Sequence, residues 1–247
     1  MTPDGGPPVH WLERVASTQD VAHRLASEGA ADGTAVIAVE QTAGRGSRGR
    51  EWVSPRGGLW LSVVLRPPAS RLPETLSLRV ALAAADALEA AGVAEIRIKW
   101  PNDLMAGERK LGGILCEARW SGDALGWVVV GIGLNVVNAI PANVAALATS
   151  LAACGCACGP GDLAEPMIAA LRAAGGGAGA LGAMELEAFR RRDWLSGRML
   201  ESPVRGLADG IAPDGALRVR DAAGAVVTAR TAPAIVAAPR EHLTPHR

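Results

Sequence analysis

Apolar residues recur along the first half of the chain in runs that are typical of strands. Alternating or continuous apolar stretches predict five strands, at 34–40, 59–65, 96–99, 110–120 and 125–136. The last two are separated by the short segment SGDA, which predicts a turn between antiparallel neighbours.

Three further regions show the residue spacing of helices. Residues 17–28 form a segment in which Val21 and Leu25 lie four apart on one face. Residues 73–91 begin with a proline and stop before a glycine, an asymmetry that is typical of helices. Residues 142–194 are mostly helical in pattern, with interruptions rich in glycine and alanine.

After residue 196 the pattern changes to short β-like runs. Segments rich in aspartate and glycine predict turns at 209–210, 214–215 and 221–224. We therefore predict an α+β protein, with a main domain at 1–196 and a small all-β domain at 197–247. A unit of that size buries little apolar surface alone, so we expect it to pack on the main domain.

Composition and charge exclude several classes of protein. The 247 residues carry 25 basic and 25 acidic side chains, and this zero net charge argues against nucleic-acid binding through bulk electrostatics. No apolar run reaches membrane-spanning length, and the Gly/Pro-rich start at 1–10, predicted to be loose, does not resemble a signal peptide. We expect a cytoplasmic protein without nucleic-acid or membrane partners.

The four cysteines are Cys116, Cys154, Cys156 and Cys158. In a chain without an export signal they predict no disulfide framework. The alternate spacing of the last three differs from the CxxC pairs of zinc sites, so we expect no metal site there. We interpret them as small apolar residues and place Cys116 in the core.

Lysine is used only twice, at Lys99 and Lys110, against 23 arginines. An ammonium group is a compact point charge, whereas a guanidinium group is a planar fork. Either one of these positions needs that compact shape, or the clustering of the two lysines is a coincidence.

The segment 44–50, with sequence GRGSRGR, is the most unusual local pattern. Its glycines allow close backbone approach, and its arginines supply donors for a phosphate or carboxylate, with Trp52 as an apolar end. A solvated flexible loop and an RNA-contacting arginine–glycine segment are the alternatives.

Other candidates lie where predicted elements begin or end. Residues 17–19 (STQ) are either a helix cap or a cluster of donors and acceptors at a pocket edge. Residues 99–103 (KWPND) are either a functional strand end or an ordinary turn. Lys110 precedes two glycines, and at Gly113 we expect a ligand to approach the strand backbone. Residues 131–135 (GIGLN) lack the third glycine and the following helix of a dinucleotide site.

Together these segments resemble the biotin protein ligases. The resemblance spans residues 17–136 and rests on STQD, EQTAGRGSRGREW, SPRGGLWLSVVLRP, KWPNDLM, RKLGGILCE and VVGIGLNV. It implies a class II synthetase-like domain with a mixed sheet flanked by helices, followed by a small C-terminal β-barrel. It also implies ATP-dependent formation of biotinyl-5'-AMP and transfer of biotin to a lysine of a biotin carboxyl carrier protein, with acetyl-CoA carboxylase as the default acceptor.

The resemblance also implies roles for individual residues. The ureido ring of biotin is met by Ser17, Thr18, Gln19 and Gln41. The loop that closes over biotin and the adenylate contains Gly44, Arg45, Gly46, Ser47, Arg48 and Arg50. The nucleotide side contains Asn102, Asp103 and Asn135, with Trp52 packed near adenine, and Lys110 contacts the biotin carboxylate and the α-phosphate.

Elementary chemistry is consistent with these roles. A carboxylate that attacks a phosphate must overcome anionic repulsion, which Lys110 and Arg45 would offset, while Mg²⁺ offsets the β and γ charges of ATP. In the transfer step Asp103 is expected to orient the acceptor amine or to accept its proton.

The chain departs from the family pattern in one loop position and in its start. Ser47 stands where the family loop commonly carries arginine, which predicts faster release of the adenylate. The first motif begins at residue 17, so no N-terminal winged helix and no operator binding are expected. Monomer and homodimer both remain open. A lipoate or octanoate ligase, which would need a long apolar tunnel, and an RNA-binding module are the rival interpretations.

Overall fold

A computed structural model describes residues 6–67, 74–177, 179–230 and 236–237. A seven-stranded sheet forms its centre. Its strands are β1 (Val9–Val15), β2 (Ala35–Gln41), β3 (Leu59–Leu65), β4 (Ile96–Lys99), β5 (Asp103–Ala106), β6 (Arg109–Ser121) and β7 (Ala124–Leu134).

The strands follow the order β1-β2-β3-β7-β6-β5-β4 across the sheet. β1 and β2 run parallel, and the other neighbours are antiparallel. A parallel pair needs a crossover, and the first helix provides it. The sheet is therefore mixed, as predicted.

Helices cover both faces of this sheet. They are α1 (Thr18–Ser27), α2 (Leu76–Ala90), α3 (Pro160–Gly175) and α4 (Ala183–Arg192). The alternation of side chains along the strands turns Val36, Val64 and Val129 toward Ala22 and Ala26 of α1. The opposite face holds the larger core under α2 and α3. The predicted α+β class is confirmed.

The C-terminal part forms a curled five-stranded antiparallel sheet. Its strands are β8 (Met199–Ser202), β9 (Gly206–Ile211), β10 (Leu217–Arg220), β11 (Val226–Ala229) and β12 (Val236–Ala237). It packs on the main core, as expected: the buried Trp100 Nε1 donates to the Gly215 carbonyl at 2.8 Å, and the Leu181 amide donates to the Pro213 carbonyl at 2.7 Å.

Several predicted elements need correction. The prediction of a loose start at 1–10 is wrong at its end, because Val9 begins β1, an edge strand with no fully buried position. The turn at 209–210 lies inside β9, where Gly210 has a positive φ of 76°. Within the described part of 142–194 lie two α-helices, α3 and α4, and two short 3₁₀ turns, Ala142–Val144 and Ala152–Cys154, both before α3. The first residue of the predicted helix 73–91 lies outside the described residues.

The cysteines only partly follow the prediction. Cys116 packs against the core, and burial raises the pKa of its thiol to about 12. Cys156 and Cys158 are joined by a disulfide, contrary to the prediction of no disulfide framework and to their interpretation as small apolar residues. Their alternate spacing brings the two Cα atoms to 5.5 Å, which permits that bond. Cys154 remains a free, exposed thiol.

Candidate functional site

A cleft opens over β3, β7 and β6, between the start of α1 and the glycine-rich loop. The predicted residues that line it are Ser17, Thr18, Gln19, Gln41, Arg45, Gly46, Ser47, Arg50, Trp52, Asn102, Lys110 and Gly113. Residues that are distant in sequence thus meet in one place.

One end of the cleft is neutral and polar. The Thr18 amide and hydroxyl donate to Gln41 Oε1 at 2.8 and 3.0 Å, and the same hydroxyl lies 2.8 Å from the Ser62 hydroxyl. Gln41 Nε2 donates to the Ser54 hydroxyl at 2.8 Å. These bonds fix the start of α1 against β2 and β3.

Ser17 occupies the N-cap position of α1, yet its side chain makes no capping bond. The predicted capping role is therefore wrong for Ser17, and Thr18 turns to Gln41 instead. Among the residues that the structure describes, the buried Ser17 hydroxyl has no hydrogen-bond partner, and it lies at the wall of the cleft.

Four buried polar atoms of cleft residues have no partner among the described residues. They are Ser17 Oγ, Gln19 Oε1, Arg45 Nε and Trp52 Nε1. A buried polar group without a hydrogen bond is costly, so such a concentration indicates a place for a polar ligand. The set contains both acceptors and donors.

The glycine-rich loop folds back on itself beside this end. The Gly46 amide donates to the Arg50 carbonyl at 2.8 Å, and the Trp52 amide donates to the Gly44 carbonyl at 2.9 Å. Arg48 adopts a left-handed φ of 62° at the tip. The loop is thus a narrow hairpin with Trp52 at its inner end.

Ser47 and Arg50 are held together within that hairpin. Arg50 Nη2 donates to the Ser47 hydroxyl at 3.0 Å, and both residues line the cleft. Arg48 is exposed and lies outside the lining. Of the two neighbouring arginines, Arg50 is therefore the one placed beside Ser47.

The other end of the cleft is cationic. Lys110 Nζ lies 2.6 Å from Asp103 Oδ1 and 4.9 Å from the centre of the Trp52 ring. Asn102 Nδ2 donates to the Ile114 carbonyl at 2.7 Å, which anchors the start of β5 to β6. The ammonium group is thus fixed between a carboxylate and an aromatic face.

Lys99, the other lysine, lies elsewhere. Its ammonium group is over the Trp194 ring at 5.1 Å, outside the cleft lining, and burial lowers its pKa. Of the two candidate lysines, only Lys110 reaches the cleft.

The floor of the cleft is formed by β7 at two glycines. A Cβ atom at Gly131 would lie 2.8 Å from Gln19 Oε1, and a Cβ atom at Gly133 would lie 2.6 Å from Trp52 Nε1. The GIG segment therefore makes room for cleft side chains. It lies within a strand and not at the start of a helix, which agrees with the rejection of a dinucleotide site.

Four predicted residues lie outside the lining. Gly44 is packed under Trp52 and Ser54, and Arg48 points to solvent. Asp103 is linked to the cleft through Lys110. Asn135 is buried, with its Nδ2 donating to the Thr149 carbonyl at 3.1 Å. The roles assigned to these residues stay predictions.

Sequence reasoning missed Glu117, which lies at the centre of a charged network. Its Oε2 accepts from Arg45 Nη2 at 2.9 Å, from Gln19 Nε2 at 3.1 Å and from His23 Nε2 at 3.2 Å. The bond from His23, with the charge of Arg45 and the bond from Gln19, outweighs burial and lowers the pKa of Glu117 to about 2. The only local signal was a charged residue at the end of an apolar strand run.

Comparison with known proteins defines the class of protein that carries this fold and site. A family model described as the biotin/lipoate A/B protein ligase family matches residues 11–135. The chain belongs to this family.

Particular relatives are biotin ligases. The chain is 42% identical over 143 residues to the bifunctional ligase/repressor BirA of Bacillus subtilis, covering 56% of this chain and 44% of that protein. It is 45% identical over 131 residues to the biotin–[acetyl-CoA-carboxylase] ligase of Paracoccus denitrificans, covering 52% and 54%. It thus spans about half the length of the curated relatives it matches.

The fold agrees with solved structures over nearly the whole chain. The biotin protein ligase of Aquifex aeolicus in complex with biotin and ATP matches with a TM-score of 0.77 at 27% identity, covering 91% of this chain and 96% of that one. The Leishmania major enzyme in complex with biotinyl-5-AMP matches with a TM-score of 0.62 at 29% identity, covering 91% and 99%. Within the described ranges no helix is both long and apolar enough to cross a bilayer.

Proposed function

We propose that this protein is a biotin protein ligase, which forms biotinyl-5'-AMP from biotin and ATP and transfers biotin to a lysine of a biotin carboxyl carrier protein. The observation that carries the proposal is the division of one cleft into a polar end, where the uncharged Ser17 and Gln19 side chains have unpartnered oxygens, and a cationic end at Lys110. Biotin has the same division, with a neutral ureido ring at one end and a carboxylate at the other.

The polar end suits the ureido ring. A neutral cyclic urea offers two N–H donors and one carbonyl acceptor, which require complementary groups in a dry pocket. Ser17 Oγ can donate or accept, and Gln19 Oε1 accepts. Thr18 and Gln41 hold each other in place beside them.

In the first step a biotin carboxylate oxygen attacks the α-phosphorus of ATP. A C–O–P bond forms, the bond from the α-phosphorus to the bridging oxygen breaks, and pyrophosphate leaves. Lys110 places its positive charge at the cationic end, where the approaching anions repel each other, and the Asp103 carboxylate holds that ammonium in position.

The loop hairpin protects the mixed anhydride from water. Arg45 is held on the cleft by ion pairs with Asp20 at 2.5 Å and with Glu117 at 2.9 Å. Arg50 and Ser47 overhang the same cleft. A closing loop of this kind limits hydrolysis of a reactive intermediate.

In the second step the acceptor lysine attacks the acyl carbon, an amide forms, AMP leaves and the amine loses a proton. A lysine amine has an ordinary pKa near 10.4, so a base or an orienting carboxylate assists. Asp103 is our candidate. If Asp103→Asn slows adenylation but leaves transfer from preformed adenylate unchanged, this role is wrong.

Mg²⁺ belongs to the proposal as the ion that ATP phosphates carry. Within the described part of the chain, no group of three or more His, Cys, Asp or Glu side chains is placed to hold a metal. Magnesium–nucleotide sites typically take most ligands from phosphates and water. No step is therefore assigned to a protein-bound metal.

The remaining features of the proposal extend beyond the cleft. Trp52 and Asn135 are assigned to the nucleotide side, and the main and C-terminal domains are divided near residue 196. The acceptor is the carrier domain of acetyl-CoA carboxylase, as the name of the Paracoccus relative suggests. A cytoplasmic location and either a monomer or a homodimer complete the proposal.

A lipoate or octanoate ligase is the alternative within the same family. A fatty chain gains affinity from apolar walls and offers no donors for buried acceptors. The unpartnered Ser17 and Gln19 atoms at the end of the cleft favour biotin.

The test is ATP–pyrophosphate exchange with biotin, lipoate and octanoate in turn. We expect exchange with biotin alone, and its loss by at least about a hundredfold in Lys110→Ala, as for removal of one transition-state contact. Arg109→Ala is the matched control, because Arg109 is an exposed cation next to Lys110. Exchange with a fatty acid instead of biotin would contradict the proposal.

A further inference from the structure

Gln19 has an amide whose orientation is fixed by its neighbours. Its Nε2 donates to Glu117 Oε2 at 3.1 Å and to the Val129 carbonyl at 3.4 Å. Both partners are acceptors only, so a flipped amide would place three oxygens together. The donor end of Gln19 is therefore committed to the protein.

The acceptor end of Gln19 has no partner in the described part of the chain. Oε1 is buried in a residue that is only 4% exposed, and it lies over Gly131 at the cleft floor. The cleft thus presents a bare acceptor at this point, which a ligand donor can satisfy.

Glu117 is itself held in its charged, accepting form. His23 is 8% exposed, and its Nδ1 accepts from Trp127 Nε1 at 3.0 Å, which leaves the ring proton on Nε2. Nε2 then donates to Glu117 at 3.2 Å. The pKa of Glu117, lowered to about 2, keeps this carboxylate ionised at neutral pH.

We propose that Glu117, oriented by the Trp127–His23 pair, is a specificity-determining residue that turns the Gln19 amide so that its oxygen selects a ligand N–H. This inference rests on the proposed function and names the group that enforces its selectivity. Glu117 acts as a positioning residue, through Gln19 and Arg45.

Biotin differs from lipoate and octanoate in the N–H donors of its ring. A ureido ring carries N–H donors that can meet Gln19 Oε1, whereas a dithiolane ring or an alkyl chain carries none. A site that must leave a buried acceptor unpaired rejects such ligands more strongly than a merely apolar pocket does.

The test measures dissociation constants by calorimetry for biotin and for two cyclic carbamate analogues, in each of which one ureido N–H is replaced by oxygen. In the wild type we expect the analogue that lacks the N–H facing Gln19 to bind about 10- to 100-fold more weakly than biotin. In Glu117→Gln the new amide can donate to a flipped Gln19. That analogue should then bind within about threefold of biotin, while the ratio for the other analogue stays unchanged.

Glu40→Gln is the matched control. Glu40 is a carboxylate on β2 that pairs with Arg14 at 3.4 Å and does not line the cleft, so all ratios should stay at wild-type values. Should Glu117→Gln not fold, Glu117→Asp retains the charge but withdraws the carboxylate from Gln19 Nε2. The amide is then less firmly oriented, so the ratio should fall below its wild-type value without reaching the ratio expected for Glu117→Gln.

Two results would overturn the inference. One is an unchanged ratio for both analogues in the Glu117 variant, and the other is a uniform loss of affinity for all three ligands, which indicates a purely structural role. If either result is obtained while biotin adenylation is normal, the inference fails and the proposed function stands. If the wild type binds no biotin, the proposed function fails and the inference fails with it.

Discussion

Ser47 shows how a guanidinium group can reach the cleft without an arginine at residue 47. The resemblance to the biotin protein ligases predicts arginine at this position, and here the serine hydroxyl accepts from Arg50 Nη2. Arg50 lines the cleft and retains a guanidinium near the place where the adenylate phosphate is expected. The contact that Arg50 can make is less direct than the contact that an arginine at residue 47 would make.

We predict that Ser47→Arg slows release of biotinyl-5'-AMP by about tenfold, because a charge-assisted bond to a phosphate adds about 1.5 kcal/mol. The measurement is the dissociation rate of radiolabelled adenylate after dilution. Val53→Arg is the control. It adds the same charge at a position that is 50% exposed and outside the cleft lining. An unchanged release rate in Ser47→Arg would contradict the prediction.

At the residue scale, sequence reasoning succeeded where a motif carried the chemistry. Lys110 was singled out by its rarity and its neighbours, and the cleft contains it. Glu117 and His23 were missed because their contact joins residues 94 positions apart. Nothing in either local segment indicates that pairing, which exists only after α1 has packed on the sheet.

At the scale of elements, apolar runs predicted strands well where both faces of the strand are buried. β3 has the predicted bounds and is buried at every position. β1 was missed because it is an edge strand with exposed polar positions. β5 was missed because its first residue, Asp103, belongs to the KWPND segment, which was interpreted as a strand end or a turn. The turn predicted at 209–210 was a glycine irregularity within a strand.

The reactivity of two free cysteines, Cys116 in a strand and Cys154 outside the sheet, gives a prediction at this scale. Cys116 lies in β6 with its pKa raised by burial to about 12, so at pH 8 only roughly one part in ten thousand is thiolate. Cys154 is exposed beyond the sheet. Iodoacetamide at pH 8 should therefore modify Cys154 and leave Cys116 intact.

Peptide mass spectrometry provides the measurement for this alkylation. In urea without reductant both free thiols should react, which controls for detection of the two peptides. Modification of Cys116 at the rate of Cys154 in the native protein would show that β6 does not shield it.

At the scale of the whole molecule, the small C-terminal sheet is tied to the segment that leads into the cleft. Trp100 donates to Gly215 in the turn between β9 and β10, and residues 101–103 lead from Trp100 toward Lys110. The sequence predicted that the tail must pack, but not where. Such docking depends on surfaces formed by both units, so no single segment encodes it.

We predict that Trp100→Phe lowers the free energy of unfolding by about 1–3 kcal/mol, because the Gly215 carbonyl loses its buried donor. Urea unfolding measures the change. Trp120→Phe is the matched control, since Trp120 is 50% exposed and should shift stability by about 0.5 kcal/mol or less. Equal effects of the two substitutions on stability would contradict a stabilising role for the hydrogen bond from Trp100 to Gly215.

The two glycines under the cleft have a consequence for how such a protein can change over time. At Gly131 and Gly133 the space of a methyl group is already occupied by Gln19 and Trp52. A larger residue at either position therefore requires that Gln19 or Trp52 moves or is replaced as well. A change of ligand preference that begins at the floor is thus coupled to a second change in the side chains above it.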